Sequence, residues 1–314
     1  MPTPLPPRWC RSRRRSAVTF RVGHIAIAGR PNVGKSTLLN QLIGAKLSIT
    51  SRKAQTTRHR ILGVLTNAAA QYIFLDTPGF QKRYRSHLNQ AMNRSVSDAL
   101  SAADVVVHVI EAAGFKPEDE QVAALLWNDA HATPPVVLVI NKSDRVKNPA
   151  SLLTLIADAH ARHAYAAIIP LSAKTGKSVD LLLTELAQHL PEGEAIYGPD
   201  TLTDRSERFL ATEIIREKVF RLSGEEVPYG CAVTIEKFEE EGNLRRIHAT
   251  VLVDRPGHKS ILVGAKGERM KRIATEARLD MERLFGAKIY LEVFVKVKGG
   301  WADSASMLRS LGYQ

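Results

Sequence analysis

The stretch Gly29-Arg-Pro-Asn-Val-Gly-Lys-Ser-Thr37 decides the fold of this chain. It fits the pattern GxxxxGK[ST], in which glycines let backbone N–H groups wrap a phosphate at the positive end of a helix. The apolar run His24–Ala28 precedes it and the helical pattern Lys35–Ile43 follows it, as the motif requires. Lys35 is expected to contact the β- and γ-phosphates, and the Ser36 hydroxyl to bind Mg²⁺. The motif predicts a nucleoside triphosphate site without identifying the base.

Residues 24 to 190 alternate short β-branched runs with longer helical patterns. The predicted strands are His24–Ala28, Gln71–Leu75, Asp104–Ile110, Val136–Ile140 and Ala167–Pro170. The predicted helices are Lys35–Ile43, Asn89–Ser101, Pro117–Asp129, Ala150–His163 and Val179–His189. This alternation predicts an α/β fold with a mainly parallel sheet covered by helices, and ligands at the carboxyl ends of its strands.

The tetrapeptide Asn141-Lys142-Ser143-Asp144 follows the strand Val136–Ile140 and points to guanine. The Asp144 carboxylate can accept hydrogen bonds from both N1–H and the 2-amino group of guanine, a pair of donors that adenine lacks. Asn141 can bond the purine edge, and the alkyl stem of Lys142 can lie over the ring. In isolation such a tetrapeptide is a polar turn as often as a site, so its position after a phosphate loop carries the prediction.

Two further loops follow predicted strands on the same rim of the sheet. In Asp76-Thr77-Pro78-Gly79, Asp76 is expected to bind Mg²⁺ through water and the Gly79 N–H to contact the γ-phosphate. In Ser172-Ala173-Lys174, the Ala173 N–H is expected to meet the guanine O6. The predicted nucleotide-binding residues are Gly29, Arg30, Pro31, Asn32, Val33, Gly34, Lys35, Ser36, Thr37, Asp76, Thr77, Pro78, Gly79, Phe80, Asn141, Lys142, Ser143, Asp144, Ser172, Ala173 and Lys174.

The order of elements changes after the Gly/Pro-containing stretch 197–203. A helix over 205–222, with Asp204 as its cap, precedes strands over 231–238 and 246–253 that flank a Glu-Gly-Asn turn, and 288–297 is a last strand. Between them lies Gly264-Ala-Lys-Gly267, with helical patterns on both sides. This arrangement resembles a type II KH domain, an α+β module whose GxxG loop lets the backbone of single-stranded RNA approach closely. The predicted RNA-binding residues are Gly264, Ala265, Lys266, Gly267, Arg269, Lys271 and Arg272.

The helix after this loop carries apolar residues at three- and four-residue spacing, which predicts a core-facing stripe. These residues are Ile273, Ala277, Met281 and Leu284.

The chain of 314 residues carries a formal net charge of +12, which favours an anionic partner, either nucleic acid or an acidic membrane surface. Five arginines lie in the proline-rich first twenty residues, and six basic residues between Arg255 and Arg272 oppose the single acid Glu268. An apolar fraction of 44% excludes a wholly disordered protein. Two cysteines are too few for a disulfide framework, and no run approaches the roughly 18 to 20 apolar residues of a membrane span.

The motifs GRPNVGKST, QTTRH (Gln55–His59), DTPG, NKSD and SAK resemble, in order and spacing, the G1 to G5 motifs of translation-factor-class GTPases. The segments SRKAQTTRHR (Ser51–Arg60) and VKVKGGWADSASMLRSLGY are similar to the Era family of bacterial GTPases, from about residue 23 to the end. The resemblance implies that Thr57, rather than Thr56, is the switch threonine that reaches Mg²⁺ and the γ-phosphate. It implies Ser36, Thr57 and Asp76 as the metal ligands. The expected catalytic residues are Lys35, Thr57, Asp76 and Gly79.

The resemblance also implies a division of the chain and a function. We expect a basic disordered tail over 1–20, a GTPase domain over 21–197, a linker over 198–204 and a KH domain over 205–314. The function implied is a GTP-hydrolysing switch, binding GTP, GDP and Mg²⁺. The implied partner is the 3′ end of small-subunit ribosomal RNA, during assembly of that subunit. A cytoplasmic monomer is expected, with peripheral attachment to the inner face of the cell membrane as a further expectation.

Three alternatives stay open at the level of sequence. The protein could act mainly as a membrane-surface regulator, or as an RNA-binding assembly factor whose nucleotide site is structural. Residues 1–20 could be a solvated extension, the result of a translation start site chosen too far upstream, or an organellar targeting peptide. Asn32 could help to hold a K⁺ ion or only stabilise its loop.

The residue after Gly79 is Phe80, where Ras-like enzymes have a glutamine that orients the attacking water. Because a phenyl ring cannot do this, slow intrinsic hydrolysis is expected.

Overall fold

The computed structural model describes residues 19–51, 53, 56–80, 87–127, 134–224 and 227–312. The basic tail, apart from its last two residues, and Gln55 of the predicted switch motif lie outside the described residues. The described chain builds two sheets, one of six strands and one of three.

The first sheet has the order β2-β3-β1-β4-β5-β6, in which every neighbouring pair is parallel except β2 and β3. Its strands are β1 Arg21–Ala28, β2 Ile61–Thr66, β3 Ala70–Asp76, β4 Val105–Glu111, β5 Val136–Asn141 and β6 Ala167–Pro170. Its helices are α1 Lys35–Ile43, α2 His87–Ser101, α3 Pro117–Leu126, α4 Pro149–Arg162 and α5 Val179–His189. The prediction of a mainly parallel, helix-covered sheet is confirmed.

The strand β2 was not predicted, because a glycine in its interior weakens the strand signal. The structure explains that glycine: a Cβ on Gly63 would lie 2.9 Å from Leu39 Cδ1 and 3.0 Å from Ile43 Cγ1. A bare backbone at Gly63 therefore lets α1 pack closely against β2.

The second sheet belongs to what we call the C-terminal module, residues 207–312. Its elements are α6 Glu207–Leu222, β7 Cys231–Glu241, β8 Leu244–Val253, α7 Pro256–Val263, α8 Glu268–Phe285, β9 Lys288–Val297 and α9 Ala305–Ser310. The strand β8 pairs antiparallel with β7 and parallel with β9. In α8, Ile273, Ala277 and Met281 are buried in the core of the module, as their spacing predicts.

The predicted capping of α6 by Asp204 is wrong. The cap is Ser206, whose Oγ accepts a hydrogen bond from the Phe209 N–H at 3.3 Å. A side chain caps a helix from the position directly before its first residue, and Asp204 lies two positions too early.

The segment that joins the two sheets is bound along the edge strand β2. The Val64 N–H donates to the Leu202 carbonyl oxygen at 2.8 Å, and the Thr203 hydroxyl donates to the Leu62 carbonyl oxygen at 2.6 Å. The buried Gln71 side chain bonds the backbone of Tyr197. Within the described ranges no helix has the length and apolar character needed to cross a membrane.

Candidate nucleotide and nucleic-acid sites

The loops that follow β1, β3, β5 and β6 meet at one edge of the first sheet, around a cleft of about 1540 Å³. The carboxyl ends of parallel strands place these loops together, as expected for this fold. The cleft brings together these predicted residues: Pro31, Asn32, Gly34, Lys35, Ser36, Thr37, Thr57, Gly79, Lys142 and Lys174.

The lysine of the phosphate loop is hydrogen-bonded to the backbone of the loop itself. Lys35 Nζ donates to the carbonyl oxygens of Gly29 at 2.9 Å and Arg30 at 3.0 Å, so the ammonium lies inside the loop. Burial lowers the pKa of Lys35 to about 8, although Asp76 acts to raise it. A bound phosphate would add negative charge beside this buried ammonium and favour its charged form.

Gly34 can be no other residue. Its φ of +102° lies in the left-handed region, and a Cβ there would lie 2.4 Å from Asn141 Nδ2. That amide instead donates to the Val33 carbonyl oxygen at 2.8 Å, while the Val33 side chain is fully buried in the core. The phosphate loop and the predicted base-binding loop are thus in direct contact.

Three predicted metal ligands converge beside the loop. Ser36 Oγ donates to Asp76 Oδ2 at 2.8 Å and lies 2.7 Å from Thr57 Oγ1. The other carboxylate oxygen of Asp76 is buried and has no hydrogen-bond partner. Burial raises the pKa of Asp76, with hydrogen bonds from Ser48, Ser36 and Thr57 opposing the shift. Two hydroxyls and a carboxylate with an unsatisfied oxygen are hard donors that fit Mg²⁺.

The structure separates the two candidate threonines. Thr57 lies in the oxygen cluster, whereas Thr56 Oγ1 donates to the Lys53 carbonyl oxygen at 2.7 Å. Ser48, which no motif marks, also reaches the cluster and donates to Asp76 Oδ2 at 2.7 Å.

The base-binding loops are tied to one another. Asn141 Oδ1 accepts from the Ala173 N–H at 3.0 Å, the group predicted to meet the guanine O6. Ser172 Oγ donates to Asp144 Oδ1 at 2.6 Å, and this hydrogen bond lowers the pKa of Asp144. Asp144 is exposed and ionised, as a carboxylate must be to accept two hydrogen bonds from guanine. The Ser143 N–H donates to the Leu171 carbonyl oxygen at 3.1 Å.

The loop after β3 lies against the phosphate loop. A Cβ on Gly79 would lie 2.8 Å from the Pro31 backbone. Thr77 and Pro78 are buried, and the Thr77 hydroxyl donates to the Ile27 carbonyl oxygen at 2.8 Å. The Phe80 side chain is buried in an apolar cluster, so it presents no polar group to a bound nucleotide.

The switch segment, residues 50–60, also contacts the C-terminal module. Lys53 Nζ donates to the carbonyl oxygens of Phe220 at 2.8 Å, Ser223 at 2.7 Å and Gly224 at 3.1 Å, at the C-terminal end of α6. Helix ends leave such carbonyls without intrahelical partners. Phe220, Arg221 and Tyr229 consequently line the nucleotide cleft, a contribution that the sequence did not predict.

Arg58 makes the deepest of these contacts. Its guanidinium donates to the carbonyl oxygens of Cys231 at 2.8 Å, Pro228 at 3.0 Å and Tyr229 at 3.2 Å, and lies 5.5 Å from the Phe220 ring centre. Arg58 is almost fully buried. A charged side chain is stable at such a depth only when several acceptors surround it.

The predicted RNA loop has the expected backbone. Gly264 and Gly267 have φ values of +71° and +80°, and a Cβ on Gly264 would lie 2.9 Å from Arg269 Cβ. Ala265 and Lys266 are exposed at its tip. The Arg269 guanidinium donates to the Ile261 carbonyl oxygen, and Arg272 pairs with Glu276 at 2.9 Å, so both side chains have protein partners. Lys271 is exposed beside them.

A groove of about 650 Å³ runs beside this loop, between the α7 and α8 helices and the edge strand β9. Its apolar wall includes Met270, Val293 and Phe294, and the Phe294 side chain is 55% exposed. The sequence did not predict these β9 residues as part of the site, because their alternating pattern is that of any half-buried strand. Lys259, Lys271 and Lys296 give the groove its positive charge.

Both halves of the chain match known protein families. The family described as 50S ribosome-binding GTPase matches residues 24–142, and the KH domain family matches residues 226–302. GTPase Era from Nitrosomonas eutropha and GTPase Era from Bordetella avium are each 52% identical to this chain over 299 residues, which cover 95% of it and all of theirs. The chain belongs to the Era family of GTPases.

Two solved structures agree with this assignment. A variant of Aquifex aeolicus Era bound to GDP and AlF₄⁻ is 40% identical, with a TM-score of 0.89 over 93% of this chain and 99% of its own. Era in complex with MgGDPNP and nucleotides 1506–1542 of 16S ribosomal RNA is 40% identical, with a TM-score of 0.90 over 94% and 99%. The predicted family and fold are confirmed, and the chain is a GTPase.

Proposed function

We propose that this chain is a GTP-driven switch that binds small-subunit ribosomal RNA near its 3′ end and acts in assembly of that subunit. One observation carries the proposal: the switch segment reaches the nucleotide cleft through Thr57 and the C-terminal module through Arg58. Because Thr57 and Arg58 are adjacent, a change at the γ-phosphate that moves Thr57 would also act on the contacts of Arg58 with the module that carries the GxxG loop.

The nucleotide is GTP or GDP with Mg²⁺. Asp144 reads guanine, Lys142 covers the base, and Lys35 neutralises the β- and γ-phosphates. Ser36, Thr57 and Asp76 would hold Mg²⁺, whose charge would stabilise the phosphate oxygens when bound. A related Era structure contains MgGDPNP, and the oxygen cluster of this chain offers hard donors that suit Mg²⁺.

Intrinsic hydrolysis is slow in this proposal. Phe80 is buried among apolar side chains and cannot orient water, so rate acceleration rests on charge neutralisation by Lys35 and on backbone groups near Gly79. Asn32, with a φ of +67°, joins the nucleotide site as a ligand for K⁺. Equal hydrolysis rates in potassium and sodium buffers would leave Asn32 with only its role in the loop.

The RNA ligand is single-stranded. The groove beside the GxxG loop combines an exposed aromatic ring, apolar walls and lysines, which suit unstacked bases and their phosphates. The related Era structure solved with nucleotides of 16S ribosomal RNA supports the choice of this RNA.

The experiment that tests the whole proposal is crosslinking of the full chain to RNA in cells, followed by sequencing of the bound fragments. We expect fragments from the 3′ end of small-subunit ribosomal RNA. Fragments spread evenly over cellular RNA would overturn the named partner. Phosphate release that stays undetectable even with saturating RNA would instead favour an assembly factor with a structural nucleotide site.

The proposal also covers localisation and oligomeric state: a cytoplasmic monomer that attaches peripherally to the membrane through the basic tail. Each tail arginine near an anionic surface would contribute about 1 kcal/mol. Co-sedimentation with anionic vesicles, compared between the full chain and a chain lacking residues 1–20, tests the attachment. Equal sedimentation of the two would remove the tail from the proposal.

A further inference from the structure

Glu111, the last residue of β4, binds two cations that belong to different loops of the nucleotide site. Its Oε1 accepts a hydrogen bond from Lys142 Nζ in the base-binding loop, and its Oε2 accepts from Arg30 Nη2 in the phosphate loop at 2.8 Å. No motif includes Glu111, and it does not line the cleft. Its side chain is 17% exposed, so these contacts are largely shielded from solvent.

The other ends of the two cations are also fixed. Arg30 Nε donates to Asp119 Oδ2 at 3.2 Å in the first turn of α3, where Asp119 is fully buried. Lys142 Nζ donates a further hydrogen bond to the Asn32 carbonyl oxygen at 2.8 Å. Burial acts to raise the pKa of Glu111, but hydrogen bonds from Lys142 and Arg30 outweigh it and hold that pKa below its usual value. The carboxylate is therefore ionised across the physiological pH range.

This network matters because of what Lys142 must do. A lysine side chain loses rotamer entropy when its stem is ordered against a ligand. A side chain already ordered before the ligand arrives does not lose that entropy on binding. Two acceptors, Glu111 and the Asn32 carbonyl oxygen, order the ammonium of Lys142 through contacts within the protein itself.

We propose that Glu111 is a positioning residue for the guanine nucleotide: it holds Lys142 over the base position and, through Arg30, joins the base-binding loop to the phosphate loop. This inference rests on the proposed guanine-nucleotide site. It assigns to Glu111 an effect on nucleotide retention, measured as the rate at which bound nucleotide leaves.

The test uses the full chain and the fluorescent nucleotide mant-GDP in stopped-flow chase experiments. The Glu111→Gln variant keeps the shape of the side chain and removes its charge. We expect dissociation about tenfold faster, which corresponds to about 1.4 kcal/mol, since glutamine keeps only part of the hydrogen bonding that the charged carboxylate provides. The KM for GTP should rise by a similar factor, while kcat falls less than twofold.

The matched control is Glu120→Gln. Glu120 lies in α3 and pairs with Arg162 at 2.6 Å on the surface, with no contact to Lys142. The rate at which mant-GDP leaves the Glu120→Gln variant should equal the rate for the unmodified chain. The Glu111→Asp variant keeps the charge on a shorter stem and should give an intermediate rate, which provides a second reading if glutamine at position 111 impairs folding.

A double-mutant cycle separates positioning from general support of the fold. In a Lys142→Ala background, Glu111→Gln should accelerate dissociation less than twofold, because the side chain that it positions is gone. An undiminished effect in that background would overturn the proposal, and so would an unchanged rate in the single variant. If the unmodified chain fails to bind mant-GDP at all, the proposed guanine-nucleotide site itself fails.

Discussion

Thr57 and Arg58 are neighbours in the chain whose side chains enter different halves of the molecule. Thr57 Oγ1 lies 2.7 Å from Ser36 Oγ in the nucleotide cleft, while Arg58 Nη1 donates to the Cys231 carbonyl oxygen at 2.8 Å in the C-terminal module. In the proposed switch, a displacement of Thr57 on loss of the γ-phosphate would be transmitted to the contacts of Arg58. This adjacency is the mechanical basis that we propose for coupling nucleotide state to RNA binding.

Replacement of Arg58 by alanine should weaken the coupling between the two sites. We expect RNA affinity to depend less on whether a GTP analogue or GDP is bound, because the hydrogen bonds from the residue next to Thr57 to the module are lost while those of Lys53 remain. The free energy of unfolding should fall by about 2–4 kcal/mol, since three carbonyl groups, two of them in buried contacts, lose a charged donor. RNA titrations in each nucleotide state, together with urea denaturation, measure both effects.

Arg60→Ala is the matched control for that change, because the Arg60 side chain is exposed and its carbonyl oxygen accepts a hydrogen bond from Arg205, which precedes the module. It should leave nucleotide dependence and stability unchanged. A preserved ratio of RNA affinities in the Arg58→Ala variant would show that coupling takes another route.

Replacement of Asp144 by asparagine should change base selectivity. The amide can no longer accept hydrogen bonds from both N1–H and the 2-amino group, so GTP affinity should fall by about 100-fold, or roughly 3 kcal/mol. Xanthosine triphosphate, which offers an acceptor at position 2, should compete better against the variant than against the unmodified chain. Competition with mant-GDP measures the order of preference, and unchanged preference for GTP would remove Asp144 from base recognition.

Ser172→Ala makes a smaller change at the same carboxylate. It removes only the hydrogen bond that Ser172 Oγ donates to Asp144 Oδ1. We expect a loss of GTP affinity of about fivefold, since a single hydrogen bond contributes about 1 kcal/mol net, and no gain for xanthosine triphosphate.

The sequence indicates a candidate site wherever that site consists of a few adjacent residues. Three predicted sites are contiguous in sequence: the phosphate loop, the base-binding tetrapeptide and the GxxG loop. The glycines of the two loops indicate the backbone conformation that each loop requires. Gly34 illustrates this, because its left-handed φ and its approach to Asn141 both demand a residue without Cβ.

The sequence was insufficient where a contact joins distant segments or uses the backbone as acceptor. Arg58 and Lys53 bind carbonyl oxygens about 170 positions away, and a carbonyl leaves no mark on residue identity. Ser48 reaches Asp76 from a loop with no motif. Phe294 lines the groove beside the GxxG loop only because β9 is the edge strand next to α8. Such features follow from topology, which single residues do not encode.

The buried His108 should make stability depend on pH in the acid range. Burial is the main cause that lowers its pKa to about 3, and its Nδ1 lies 3.0 Å from the Tyr165 hydroxyl. Because the unfolded chain takes up this proton near pH 6.5, stability is fully present above that pH and is lost as pH falls towards 3. Over this window the loss should be about 1 kcal/mol per pH unit. In the His108→Leu variant the slope should be shallower by that amount, as measured by urea denaturation at pH 7, 5.5 and 4.5.

The exposed His160 provides the control for that slope, since its replacement by glutamine removes a histidine without removing a buried one. The His160→Gln variant should follow the unmodified chain at each pH. An equal slope in the His108→Leu variant would mean that carboxylates alone determine acid stability.

Substitutions at the GxxG loop and in the groove beside it should separate the electrostatic contribution to RNA affinity from the stacking contribution. Lys266→Ala removes an exposed charge from the tip of the GxxG loop, so affinity for an oligonucleotide from the 3′ end of 16S ribosomal RNA should fall about three- to tenfold. The slope of log affinity against log salt should fall by about 1. Phe294→Ala should cost about 1–3 kcal/mol through lost stacking and leave the salt slope unchanged. Lys288→Ala, which removes an exposed charge at the opposite end of β9, should alter neither quantity. Equal salt slopes for all three variants would place the phosphates of the RNA away from the loop, whatever the losses of affinity.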